Sequence, residues 1–132
     1  MKAFDISTND LIGKPYKNNG IGPDEYDCYG LISECMRRAG YPPPPSLVIP
    51  YSHAGMGTLA SREKVLWQKQ NTGSFGCVIL LTIKGYSCHC AFQLNNYYFI
   101  HAWESGGVSI ERLPRWKRRI EGFYRYVPVD GL

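Results

Sequence analysis

The sequence predicts an α+β domain, with helices first and a mainly antiparallel sheet of five to six strands after them. Two observations carry this. Residues Leu31, Ile32, Cys35, Met36 and Ala39 recur at helical spacing, with Gly40 in place as a C-terminal cap. After Gly73 the chain changes to short apolar and aromatic runs of strand length, separated by turn residues. Helices followed by strands define the class, and the amphipathic helix needs the sheet to bury its stripe. The 132 residues suffice for one domain, taken as 1–132, and are too few for two.

In chain order, Ser7 or Thr8 is placed to cap a short helix through Leu11 and Ile12 that stops at Gly13 and Pro15. Residues 16 to 27 contain Gly20, Gly22 and Pro23 and read as a loop. The main helix starts at Cys28. Pro42 to Pro45 reads as a rigid spacer, followed by a long loop to Gly57 that holds His53. Thr58 to Gln70 reads as a helix, with Leu59, Arg62, Val65, Leu66 and Lys69 giving a modest stripe. The expected strands are Cys77–Ile83, Ser87–Leu94, Tyr97–Ala102, Val108–Leu113 and Phe123–Val129.

Composition sets the boundaries. Hydrophobic residues are 44% and charged residues 20%, ordinary for a globular protein. The net charge of +4 is concentrated in Arg112, Arg115, Lys117, Arg118 and Arg119, which read as a solvated basic turn; no nucleic-acid motif accompanies them. The longest apolar run, Val78 to Leu81, is too short to span a bilayer, and the N-terminus has no signal-like apolar stretch. Five cysteines without a CxxC pair fit a reducing compartment, so the expected location at synthesis is the cytoplasm.

Cys28 carries the chemistry. A cysteine at a helix start faces unpaired N–H groups and the positive end of the helix dipole, both of which favour the nucleophilic thiolate. Its candidate base is His89, which shares a strand face with Ala91 and Gln93; Cys88, Cys90, Phe92 and Leu94 share the other face and should meet the major core. That leaves His89 on the face open to the helix or cleft. His101 lies on the next strand. A two-residue turn at Asn95-Asn96 would point the histidines apart, whereas an odd loop puts them on one face, where His89 can pair directly with His101. Catalysis requires the odd loop. Cys28 would then attack a carbonyl carbon, His89 would shuttle the proton, and His101 would orient His89. A buried structural cysteine with two cross-strand histidines is the alternative.

Gly13-Lys14-Pro15-Tyr16, with Tyr26-Asp27-Cys28-Tyr29-Gly30-Leu31 after a Gly-containing spacer, resembles the N-terminal signature of the NlpC family of papain-like cell-wall peptidases. His89-Cys90-Ala91-Phe92-Gln93-Leu94 and Tyr98-Phe99-Ile100-His101-Ala102 are similar to that family's histidine strand and its neighbour. The resemblance covers roughly residues 8 to 127. It implies a papain-like fold with Cys28 as nucleophile, His89 as base and His101 as orienting residue. Tyr16 corresponds to a tyrosine near the nucleophile, and Asp27 to an acidic residue that recognises the free amine of a stem peptide. The implied reaction is hydrolysis of the D-γ-glutamyl–diamino acid bond of peptidoglycan, with no metal or organic cofactor. Tyr29 stands where the family commonly has Ser, which leaves the stem-peptide subsite open. Tyr29 and the segment from Trp116 to Arg125 resemble the phage-tail branch, implying phage tail proteins as partners and the virion as a second location. An acyltransferase or other amide hydrolase on the same scaffold, and a non-catalytic tail-assembly module, are the competing readings.

Overall fold

The computed structural model describes residues 4–41, 67–83 and 86–126. Helix α1 spans Cys28–Ala39. Six strands follow: β1 (Trp67–Gln70), β2 (Val78–Ile83), β3 (Tyr86–Gln93), β4 (Tyr98–Trp103), β5 (Gly107–Arg112) and β6 (Ile120–Tyr126). A short helix α2 (Leu113–Trp116) and a 3-10 turn at Lys117–Arg119 lie between β5 and β6. The strands form one antiparallel sheet in the order β1-β6-β2-β3-β4-β5. The architecture is the α+β arrangement expected. Among the described residues no helix is long and apolar enough to cross a membrane.

Both ends of α1 are specified locally. The Asp27 carboxylate accepts the Gly30 N–H at 2.6 Å. Gly40 takes the left-handed conformation at φ 83°, and the Tyr41 N–H returns to Met36 O at 2.9 Å. Between the caps, Leu31, Ile32, Cys35 and Met36 are buried against Val78, Cys90, Phe92, Leu94, Ile100, Ala102 and Val108. Each of the larger side chains contributes about 2 kcal/mol by leaving water. The opposite sheet face holds a second cluster of Ile79, Leu81, Ala91, Phe99 and Trp116, which α2 helps to cover. The basic residues around α2 are exposed, as a solvated turn requires, and the Arg119 guanidinium lies 5.0 Å from the Trp116 ring.

Two expected helices are corrected. Thr8 to Gly13 forms hydrogen-bonded turns rather than a helix, with Leu11 N–H on Thr8 O at 2.9 Å. Gly13, at φ 88°, ends them and donates its N–H to Val108 O, tying the segment to β5. Trp67 to Gln70, expected as the end of a helix, is strand β1, antiparallel to residues 123–126 of β6. An unpaired sheet edge supplied backbone partners that outweighed a weak helical stripe. The proline run Pro42–Pro45, the loop with His53, residues 58–66 of that helix and residues 127–129 of the last expected strand lie outside the described residues.

Gly30 shows how tightly the loop is held on α1. A Cβ there would overlap the carbonyl oxygen of Gly20, itself a backbone atom with little room to retreat. Gly30→Ala should therefore lower stability by about 1–3 kcal/mol in urea denaturation. An unchanged midpoint would show that this approach is not required.

Candidate active site

Cys28 is the first residue of α1 and is half-buried, packed against the core cluster under the helix. Asp27 holds the loop as well as the helix end: its second carboxylate oxygen accepts the Asn19 N–H at 3.2 Å. Cys28 is thus fixed from both sides at the end of a helix where backbone N–H groups are unpaired by the helix itself.

The pairing of the strands beside it is short. Along β3 the backbone hydrogen bonds alternate between neighbours: Gln93 N–H bonds to Cys77 O at 2.8 Å, and Leu94 N–H to Tyr98 O at 2.9 Å. By the same alternation Cys90 N–H points towards β4. The β3–β4 register, however, holds only at Phe92 opposite Ile100 and Gln93 opposite Phe99. Beyond that point Cys90, through its side chain and backbone N–H, and the His89 ring act on Cys28 and favour its thiolate. A one-residue bulge at Cys88, between Leu81 opposite His89 and Thr82 opposite Ser87, lies next to the site.

The loop between β3 and β4 is odd. Asn95, Asn96 and Tyr97 connect Leu94 to Tyr98, and the Asn95 side chain accepts the N–H groups of Tyr97 and Tyr98, each at 2.8 Å. His89 and His101 therefore share a face, with His89 Nε2 2.8 Å from His101 Nδ1. Two details of the expectation are corrected. Continuing the register sets His101 across from Ala91, so the histidines meet diagonally rather than as a direct pair. Helix α1 covers the Cys90 face, not the His89 face. Cys28 and His89 nevertheless interact, at the end of the sheet region where β3 and β4 no longer pair.

His101 is fully buried. Trp103 stacks on it at 5.0 Å between ring centroids, and Phe99 and Trp116 meet it edge-on, each at 5.2 Å. Burial, then the adjacent His89, pushes its pKa down to about 2, so His101 is a neutral hydrogen-bonding group. Cys28 is driven the other way. The hydrogen bond from the Cys90 side chain, followed by the interactions with His89, holds its pKa well below the ordinary thiol range against the opposing effect of burial. Cys35, buried without such donors, is pushed up to about 12.

Among the residues expected to bind substrate, Tyr16 and Tyr29 are half-buried. Tyr16 packs on the core near α1 and donates to Asn18 Oδ1 at 3.3 Å. The Asp27 carboxylate accepts both the helix-cap N–H of Gly30 and the loop N–H of Asn19. Cys90, read from sequence only as a small core residue, also contacts the candidate nucleophile. Glu111 went unremarked, although alternation in β5 sets Ser109 and Glu111 on the face opposite Val108 and Ile110, the face of His101. Among the described residues no group of three or more His, Cys, Asp or Glu is placed to hold a metal ion.

A half-buried cysteine at a capped helix start, hydrogen-bonded to a histidine backed by a second one on an antiparallel sheet, defines the papain-like class of domain. Residues 13–125 match the NlpC/P60 family, and the chain belongs to it. Solved structures agree on the fold. The chain is 18% identical to NlpC1 from Trichomonas vaginalis over 96% of its own length, with a TM-score of 0.63. It is 23% identical to a Staphylococcus aureus NLP/P60-family protein described as similar to lipoprotein, over 89% of its length, with a TM-score of 0.59. It is 17% identical to the NlpC/p60 domain of the peptidoglycan hydrolase SagA, covering 89% of this chain and 90% of that one, with a TM-score of 0.56. The chain spans only 45% of the Trichomonas protein and 38% of the staphylococcal one. No curated protein matches it.

Two outcomes follow from the electrostatics. Iodoacetamide should label Cys28 with a half-maximal rate well below the ordinary thiol pKa of about 8.5, while Cys35 stays unlabelled. Labelling that follows an ordinary thiol titration would show that Cys28 is not activated. The second outcome concerns stability. Native His101 refuses a proton that an unfolded histidine accepts below about pH 6.5. Its contribution is therefore fully present above that pH and lost as pH falls towards 2, at about 1.4 kcal/mol per pH unit. His101→Asn should flatten the acid limb of a denaturation series by about that slope, and an unaltered limb would contradict a buried neutral His101.

Proposed function

We propose that this domain is a cysteine endopeptidase or amidase that hydrolyses peptidoglycan stem peptides. The observation that carries the reading is the continuous contact from Cys28 to His89 and from His89 Nε2 to His101 Nδ1 at 2.8 Å. Cys28 Sγ attacks the scissile carbonyl carbon, and His89 takes the thiol proton and returns it to the leaving amine. Water then hydrolyses the acyl-enzyme with His89 as base, and His101 keeps the His89 ring oriented. The Cys28 backbone N–H, at the helix start, stabilises the oxyanion.

Membership of the NlpC/P60 family and the likeness to a peptidoglycan hydrolase domain support the substrate class. The bond assigned is that between D-γ-glutamate and the diamino acid. Tyr16, Asp27 and Tyr29 are assigned to the stem-peptide side of the cleft, with Asp27 combining amine recognition with its capping contact. Tyr29 in place of the common Ser, and the Trp116–Arg125 segment, support a phage or prophage tail setting and action at the cell wall. Cys28→Ala should abolish release of stem-peptide fragments from purified peptidoglycan while leaving the circular dichroism spectrum and unfolding midpoint intact. Wild-type protein inactive on a panel of purified stem peptides would refute the reading.

A further inference from the structure

His101 has a second ring nitrogen that the mechanism above does not use. Its Nε2 is buried and has no hydrogen-bond partner among the described residues. The Glu111 carboxylate lies 3.6 Å from it, one small side-chain rotation from hydrogen-bond distance. Glu111 sits two residues beyond Ser109, which is the register partner of His101 across β4 and β5, and the Ser109 hydroxyl donates to Glu111 Oε2 at 2.8 Å. The carboxylate is thereby steered to the edge of the aromatic enclosure around His101.

We propose that Glu111 is a positioning residue that fixes the proton of His101 on Nε2 and, through it, the tautomer of His89. The inference rests on the Cys28–His89 reading above. A neutral imidazole carries one N–H and one lone pair. The 2.8 Å contact between the histidines therefore admits two arrangements. In the first, His89 Nε2–H donates to His101 Nδ1. This leaves His89 Nδ1, the nitrogen not engaged by His101, with a lone pair for the Cys28 thiol, and requires His101 to carry its proton on Nε2, facing Glu111. In the second, His101 Nδ1–H donates to His89 Nε2. A neutral His89 then carries its proton on Nδ1 and has no lone pair for Cys28, while His101 Nε2 turns a lone pair towards a carboxylate oxygen. Two acceptors facing each other in a buried site repel, so Glu111 selects the first arrangement. That arrangement also survives catalysis: when His89 takes the thiol proton on Nδ1, its Nε2–H and the His101 proton stay where they were.

The test reads ring nitrogens directly. Long-range proton–nitrogen spectra of wild-type protein with 15N-labelled histidine should show His101 protonated on Nε2 and His89 unprotonated on Nδ1 whenever His89 is neutral. His101 protonated on Nδ1 would overturn the proposal without need of any variant. Glu111→Ala should give His101 a mixture of both tautomers and slow Cys28 alkylation about tenfold or more. Glu111→Gln keeps an acceptor oxygen in the same place and should stay within about threefold of wild type. A Glu111→Ala protein with an unchanged tautomer, or a Gln variant as slow as the Ala variant, would also overturn it. Neither readout needs peptide turnover, so a failure of the stem-peptide assignment is separable from a failure of this one.

Discussion

The parting of β3 from β4 beyond Phe92 is the feature on which the site depends. A continued ladder would direct the Cys90 N–H into β4, and the two sheet faces would remain separate compartments. Cys28 would then lie over the Cys90 face and His89 behind the sheet. Where that pairing stops, the Cys90 backbone N–H acts on the Cys28 sulfur instead. A buried N–H left unpaired would cost about 1–3 kcal/mol, a cost that the Cys28 sulfur offsets. Strand separation and nucleophile placement are therefore one structural solution.

The same economy governs the helix start. Asp27 caps α1 through Gly30 and holds Asn19 in the preceding loop, while the lack of a side chain at Gly30 lets the Gly20 carbonyl approach. A charged cap beside a thiolate would repel it in isolation. Here Asp27 is engaged by two backbone N–H groups, and the Cys28 sulfur is served by separate donors on β3. The dipole, the cap and the Cys90 donors act on different atoms, so they need not compete.

Much of this was readable from residue order. Helix α1 was legible because its apolar stripe and its terminal glycine agree with one another, whereas the Asp27 cap emerges only from the structure. The histidine pair was legible as a condition on loop parity, and Asn95 meets that condition by accepting two N–H groups at once, an interaction that residue type permits but does not dictate. Strand β1 was not legible: Trp67–Gln70 has no strong preference of its own and takes its structure from the free edge of β6. The diagonal meeting of the histidines and the short pairing of β3 with β4 were hidden for a related reason. Both depend on where two strands stop pairing, which is decided by what packs across them. Glu111 was overlooked because its importance lies in a nitrogen of His101 that no sequence pattern marks.

The aromatic enclosure explains why a histidine suits the position behind His89. A carboxylate buried among Phe99, Trp103 and Trp116 would lose its hydration with few donors to replace it. An imidazole can stay neutral there, as the low pKa of His101 indicates, and still offer Nδ1 to His89. Neutrality has a consequence of its own, since a neutral ring can donate from either nitrogen and does not by itself say which way the chain of hydrogen bonds runs. The direction has to be imposed from outside the rings, and Glu111, half-buried at the rim, is placed to do so while keeping its charge in contact with solvent.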